Sequence, residues 1–503
     1  MTASTAGAAT GTRECPLDLL IVGAGISGID LAHHVRQAFP RWSWEIHDAQ
    51  DDVGGTWHTF RYPGIRSDSD MATFGFPFRP WPHASTLGQG DQIKEYLRDA
   101  ARTSGALDRL HLRSRISEAD WDSAEQLWRV TSVRAGSDPG PGGQRTVWTR
   151  RVHFGSGYYS HTQGFRPEFP GEESFAGPII HPQQWPEDVD YAGRRFVVIG
   201  SGATAITLVP ALEQLGAHVT MLQRTPSYVA PLSEKDVISA VYQRILPASP
   251  AYRAARFTHG ARDMGQFLVA RHLPWVFTQG LRALQRRYLS RELIDEHFTP
   301  SYRPWDQRVC KAPDGDIFRA MRGNARVVTG HIDAVTERGV RLRSGEEVPA
   351  DVIVTATGLE LEAFGGGTLS IDGRALAPSD QTAYRGMMLA GVPNFSFTVG
   401  YVNASWTLRA DMVSRYMVKL WRTGQKTGET IYAPASPAVK GDRPLLDLDA
   451  GYVRRGAHRF PRQGAERPWT YVQNYLVEIP ELTFGNQRRG MEFGARTTPA
   501  AVR

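Results

Sequence analysis

Three glycines in the spacing G-x-G-x-x-G, Gly23, Gly25 and Gly28, follow the apolar run LDLLIV and open the helical pattern ISGIDLAHHV. Strand, glycine turn and helix in that order let backbone approach an anion. The first glycine makes the tight turn, the second admits a pyrophosphate, and the third lets helix and strand pack closely. Free N–H groups at the helix start then face the phosphates. Asp48 ends the next apparent strand, WSWEIHD, where an acid binds ribose hydroxyls. Far downstream, Gly200, Gly202 and Ala205 repeat the unit as G-x-G-x-x-A after RRFVVI. The second strand of that unit, HVTMLQRTPSY, supplies Arg224 and Thr225 where an acid would sit for NAD. An arginine there grips the 2′-phosphate of NADPH, a charge-assisted contact of about 1.5–3 kcal/mol. Two dinucleotide sites in one chain imply a flavin, as FAD, reduced by a nicotinamide. A disulfide-reducing flavoenzyme needs a closely spaced cysteine pair, and Cys15 and Cys310 are not one by spacing. The electrons must leave by another route, most simply to dioxygen.

The elements that position these residues read as an α/β protein. Two Rossmann-like dinucleotide-binding domains, one for FAD and one for NADPH, carry the two glycine turns, and a helical insertion interrupts the second. The boundaries fall at a disordered tail over 1–13, a first part of the FAD domain over 14–160, and the NADP domain over 161–370. The FAD domain is completed by 371–490, and 491–503 is a flexible tail. The insertion covers about 235–300, where Phe277, Leu281, Leu284 and Tyr288 fall on one helical face. SDPGPGGQ (137–144) reads as a hairpin turn, and the strands ARVVTGHI, GVRLRS and ADVIVTATG follow the insertion. SFTVGYVNASWTLRADMVSRYMVKLW reads as strand, loop and long helix, completing the first domain from the C-terminal side.

Between the two units lies FAGPIIHPQQWP, which fits F-x-G-x-x-x-H-x-x-x-W-P through Phe175, Gly177, His181, Trp185 and Pro186. This segment resembles the fingerprint of type I Baeyer–Villiger monooxygenases, relatives of the flavin-containing monooxygenases. RYPGIRSDSDM, GSGATAITLVPAL, PWDQRVCKAPDGDIF and VGYVNASWTLRADM are similar to the bacterial ethionamide-activating branch. The likeness runs from about residue 15 to about residue 490. It implies that Gly54, Gly55, Thr56 and Trp57 lie against FAD and that Asp68 stands beside the flavin. It also implies that Arg308 is the active-site arginine, serving both the flavin peroxide and the nicotinamide. A permanent cation suits that place, because arginine keeps its proton beside a developing anion. Asp68 is the partner that would hold the guanidinium, with Asp70 as the lesser alternative, and a buried structural ion pair between Asp68 and Arg308 is the plainer reading. His181, on a linker, reads as an interdomain packing residue rather than a proton carrier. Many members of the family resemble Lys-Arg where this chain has Gln307 and Arg308, so the NADPH preference rests mainly on Arg224 and Thr225.

The activity so implied inserts one oxygen atom into ketones, giving esters or lactones, and oxidises thioethers to sulfoxides. N-hydroxylation of amines and a non-catalytic flavin redox sensor are the alternatives. The helical block and the segment around Trp469 are expected to shape the substrate pocket, with Trp469 itself a packed aromatic. Composition sets the outer bounds. The chain has 503 residues, 41% hydrophobic and 22% charged, which suits about three globular domains and excludes a fibrous or disordered protein. A net charge of +6 and a pI near 9.3 suit anionic ligands, yet no long basic run marks a nucleic-acid binder. Two cysteines are too few for a disulfide framework or a cysteine-rich zinc site, so no metal is expected. Without a signal or an apolar stretch of membrane length, the expectation is a soluble protein of a reducing cytoplasm, not bound to membranes.

Overall fold

The computed structural model describes residues 10–134 and 143–496. Its two parallel sheets grow from the two apolar runs. Leu19–Val22 is wholly buried and pairs in parallel with Trp44–His47 on one side and Val152–Phe154 on the other. Leu110–His111 and Phe395–Phe397 complete five strands among the described residues. Continuous apolar strands of this kind need cover on both faces. On one face the helix Ile26–Ala38 packs against the long helix Trp406–Thr427. Chain from the far C-terminal side therefore closes the first domain.

That return is pinned from within. Arg409, fully buried on the long helix, places Nε 3.0 Å from Glu478 and donates to the carbonyls of Arg385 and Val399 at 2.6 and 2.9 Å. Its guanidinium lies 4.0 Å from the Tyr471 ring centre. A buried charge tolerates such a place only with its donors satisfied.

The second sheet is centred on Arg195–Ile199, flanked in parallel by His218–Gln223 and Val352–Thr355. Arg326–Thr329 and Ile179–Ile180 form its edges. A third sheet joins Ser114–Asp122, Leu127–Arg134 and Gln144–Thr149, all antiparallel, to Thr368–Ile371 and Arg374–Leu376. Most of SDPGPGGQ lies outside the described residues, and the strands on either side of it pair with each other. Between the second sheet's strands, four helices occupy 237–297: Val237–Ile245, Ala248–His272, Pro274–Gln285 and Arg291–His297. No described helix is long and apolar enough to cross a membrane.

Both ends differ from the sequence expectation. Residues 1–9 and 497–503 lie outside the described residues. Residues 10–13, read as tail, are tied down. The Gly11 N–H reaches the Cys15 carbonyl at 2.8 Å, the Trp148 N–H reaches Gly11 at 2.9 Å, and Arg13 pairs with Glu125. Met491–Gly494, also read as tail, is a strand antiparallel to Ile431–Pro434, because Met491 and Phe493 bring apolar surface to the core.

Candidate active site

The first glycine turn and the start of the helix behind the second open on one cleft of about 380 Å³. The first lines it with Gly23, Gly25 and Ser27, the second with Ala203, Thr204 and Thr207. A Cβ on Gly28 would stand 1.9 Å from the Gly23 carbonyl oxygen, so only glycine lets this helix approach its turn. The helices Ile26–Ala38 and Ala203–Gln214 both start without a side-chain cap and without an acid in the first turn. Their orphan N–H groups and dipole ends are left for an anionic ligand. Gly200 and Gly202 lie just outside the cleft lining, and Ala205 is buried beneath it.

Asp48 lines the cleft, and it also builds the turn. Its buried carboxylate accepts the Ala24 N–H at 2.6 Å and the Gln50 N–H at 2.8 Å. Burial raises its pKa, and the two N–H bonds pull it back. A carboxylate has about four acceptor positions, so two remain for a ligand's donors. Gly54, Gly55, Thr56 and Trp57 all line the same wall. There the Tyr159 hydroxyl donates to Thr56, and Trp57 meets Phe74 edge-on with ring centres 5.6 Å apart.

Across the cleft stands the Arg308–Asp68 pair. Nε lies 3.0 Å from one carboxylate oxygen and Nη2 3.2 Å from the other, a two-pronged contact that fixes the plane of the guanidinium. Burial works against the arginine's charge, but Asp68, Tyr158 and Tyr452 more than offset it, so its pKa is raised. Asp70 has a different task. It is buried, caps the short helix Met71–Phe74, and accepts from the Thr73 N–H at 2.9 Å and the Thr73 hydroxyl at 2.8 Å. Cys310 also lines the cleft, its thiol pushed up to about 12, first by burial and then by Asp68. It stays a protonated thiol, and Cys15 lies outside the cleft lining.

Several lining residues carry no sequence signal of their own. Arg66 is the most informative. Its Nη1 pairs with buried Asp316 at 2.6 Å, while Nε and Nη2 are buried without a partner. Orphaned donors on the wall of a cleft are suited to a ligand's acceptors. Arg66 stands in RYPGIRSD, two residues before Asp68, and that proximity is the one sequence signal for it. Tyr158, Trp406 and Tyr452 form an aromatic wall. Tyr158 stacks on Trp406 with ring centres 5.2 Å apart, and the Trp406 N–H donates to Ser27 at 2.9 Å. Burial raises the pKa of both tyrosines, so both stay neutral.

The remaining expected residues lie elsewhere. Arg224 is exposed and makes no ion pair among the described residues. Thr225 gives its carbonyl to the Ser201 hydroxyl at 2.9 Å, closing the second glycine turn. The twelve-residue motif edges the second sheet, and none of it lines the cleft. Phe175 packs beneath that sheet, and a Cβ on Gly177 would meet the Asp351 carbonyl at 2.1 Å. His181 accepts the Gln183 N–H at 3.2 Å and lies so close to Gly164 that a Cβ there would be 1.9 Å from its ring. Burial lowers its pKa, partly offset by the Gly358 backbone. Trp185 donates to the Tyr191 hydroxyl at 3.0 Å, and Pro186 follows it, exposed. Trp469 donates to the Ala435 carbonyl at 3.1 Å, away from the cleft. No residue of 235–300 lines the cleft either. The insertion braces it from behind, through Arg256 on the Thr73 carbonyl at 2.8 Å and Asp263 near Lys311 at 3.5 Å.

Known proteins place this geometry. The NAD(P)-binding Rossmann-like domain family matches residues 21–89. Among solved structures, a cyclohexanone monooxygenase with ε-caprolactone bound shares the fold at a TM-score of 0.73 and 20% identity, over 95% of this chain and all of that one. An oxidised steroid monooxygenase bound to NADP does so at 0.73 and 19%, over 96% of this chain and 100% of that one. The FAD-containing monooxygenase EthA of Mycobacterium tuberculosis is 43% identical over 97% of this chain and 99% of its own length. The probable FAD-binding monooxygenase AlmA of Acinetobacter baylyi is 41% identical over 93% of this chain and 94% of its own. With relatives this similar along nearly its whole length, the chain belongs to the family of FAD-containing monooxygenases.

Proposed function

We propose that the chain is an FAD- and NADPH-dependent monooxygenase of the Baeyer–Villiger type, which inserts one oxygen atom of dioxygen into ketones and oxidises thioethers to sulfoxides. One observation carries the reading: two uncapped helix starts, each behind a glycine turn, open on the same cleft as a paired arginine. The cleft fits the cofactors by its own chemistry. Orphaned N–H groups and the unpartnered donors of Arg66 suit a pyrophosphate and a polar ring edge. Gly23, Gly25, Asp48 and Gly54–Trp57 would hold FAD, with Gly28 shaping the turn. Gly200, Gly202 and Ala205 would form the NADPH turn, with Arg224 and Thr225 at the 2′-phosphate. FAD held in this cleft would supply the electrons that activate dioxygen.

The chain's own residues do the rest. Arg308 presents a charge that does not titrate to whatever negative charge develops on the transferred oxygen. Asp68 keeps the guanidinium plane fixed. Tyr158, Trp406 and Tyr452 keep bulk water from that wall, which strengthens the arginine's field. Cys310, held as a thiol, does not compete for electrons. The test is product analysis with isotopically labelled dioxygen, NADPH, and a ketone and an aryl thioether offered together. Labelled ester supports the proposal in full. Labelled sulfoxide without ester would confine it to sulfur, and peroxide with no labelled organic product would overturn it.

A further inference from the structure

The insertion that braces the cleft has an outer surface unlike the rest of the molecule. Of seventeen large hydrophobic residues exposed among the described residues, eleven fall between 237 and 287, about a tenth of the chain. Single exposed apolar side chains need no explanation, whereas a concentration of them does. Val237, Val241 and Ile245 recur every fourth residue on one face of the first inserted helix, with Ile245 68% exposed. Leu273 and Trp275 crown the turn between the second and third helices, Trp275 at 69% exposed.

The same stretch is where the chain's positive charge resides. Residues 237–287 hold eight arginines against one acid, a net +7, against +6 for the whole chain, so the remainder sums to −1. The one acid, Asp263, is buried and engaged with Arg262 at 3.0 Å. Arg244, Arg253, Arg286 and Arg287 are exposed and make no ion pair among the described residues.

From this we infer that the inserted helices dock the protein on an anionic lipid bilayer surface, lying in the interface without spanning it. Basic helices that also expose valine, isoleucine and tryptophan are the chemistry of such docking: aliphatic side chains and an indole enter the headgroup boundary while arginines meet lipid phosphates. A second copy of the chain fits less well, because a symmetric contact would bring the unpaired Arg244, Arg253, Arg286 and Arg287 against their own copies. A nucleic acid would use the arginines and could stack a base on Trp275, yet it leaves the exposed Val237, Val241 and Ile245 without a partner. The inference does not rest on the proposed chemistry.

The experiment is co-sedimentation of the full FAD-loaded chain with vesicles of phosphatidylcholine alone, or with about a third phosphatidylglycerol. Binding is expected only with the anionic lipid and should weaken as salt rises. Ile245→Ser with Trp275→Ser, and separately Arg286→Gln with Arg287→Gln, should each reduce it by about tenfold or more. Thermal melting of the exposed-site variants, expected to be unchanged, separates loss of docking from loss of fold. Failure of the folded wild type to sediment with anionic vesicles overturns the inference. So does equal binding by all variants, or a concentration-dependent dimer that Trp275→Ser dissolves.

Discussion

Removing Asp68 tests whether the arginine is positioned or merely present. Asp68→Ala deletes two charge-assisted bonds to Arg308, at 3.0 and 3.2 Å. Buried bonds of that kind contribute about 1.5–3 kcal/mol each. Both side chains are about a third exposed, 33% and 31%, so water screens the pair and about half that value is the fair expectation. The sum is about 1.5–3 kcal/mol, or roughly 10- to 100-fold in the rate of oxygen transfer. Arg308→Ala removes the charge altogether, and by analogy with a lost oxyanion donor it should reduce that rate about 10²- to 10³-fold. Arg308→Lys keeps a charge without the fork and should fall between them. The assay follows NADPH consumption and labelled product together. If Asp68 acts by orienting the arginine, its loss should lower the product formed per NADPH consumed while FAD content stays normal. In the Arg308→Ala background the same change should add almost nothing, since the bonds are already gone. Independent, multiplying effects would refute the positioning role. Near-normal product from Arg308→Ala would remove the arginine from the mechanism.

Replacing Arg224 by Ala should raise the KM for NADPH by about tenfold or more and leave that for NADH nearly unchanged; equal changes would mean that another group reads the 2′-phosphate. Gly28→Ala drives a Cβ to 1.9 Å from the Gly23 carbonyl and should give protein purified without flavin absorbance; normal flavin content would contradict the turn geometry. Buried His153, bonded to Ser396 at 2.9 Å and Thr398 at 3.0 Å, has its pKa lowered to about 3 by burial. The unfolded chain takes up this proton first as pH falls, so stability is full above about 6.5 and declines toward 3, by about 2 kcal/mol at pH 5. His153→Gln should flatten that slope in urea unfolding between pH 5 and 7, and an unchanged slope would exclude the histidine. Asp306→Ala, which frees the turn before Arg308, should lower product per NADPH as Asp68→Ala does, with normal flavin content; wild-type coupling would show that the turn holds itself.

The sequence was most legible where chemistry and backbone need coincide. Gly28 is required because a Cβ there would stand 1.9 Å from the Gly23 carbonyl oxygen, and a spacing set by such contact can be read without coordinates. The pairing of Arg308 with Asp68 spans 240 positions and came from a resemblance, since no local pattern joins them. Asp70 had the same residue type two positions on, and only the helix cap it makes with Thr73 removes it. Arg66 was missed because an arginine in a loop is ordinarily solvated, and its burial depends on Asp316, far along the chain. The strand at Met491–Gly494 reads as tail in the sequence because four residues carry too little periodicity to announce a pairing with Ile431–Pro434. The charge of residues 237–287 is hidden in the sequence for a similar reason. Its arginines form no run, and they stand out only because Asp263 is the one acid among them.

The placement of Arg308 shows how an insertion that adds no residue to the cleft lining can still help to hold a residue that does. The turn PWDQR puts Trp305, a bulky residue, at φ +68°, a conformation that costs on the order of 1–3 kcal/mol unless its surroundings enforce it. They do so from three directions. The Asp306 carboxylate accepts the Arg303 N–H at 3.0 Å, closing the turn on itself. Arg271, from the second inserted helix, meets the same carboxylate at 2.5 Å. The Asp449 N–H, from the C-terminal part of the chain, reaches the Asp306 carbonyl at 2.8 Å. Arg308 thus stands where the insertion, the second domain and the returning C-terminal segment converge, and it crosses the cleft to Asp68 of the first. A guanidinium held from both sides of a cleft keeps its charge at one spot only while the parts stay together. On that arrangement, a surface docked on the inserted helices would act on the same scaffold that holds the arginine.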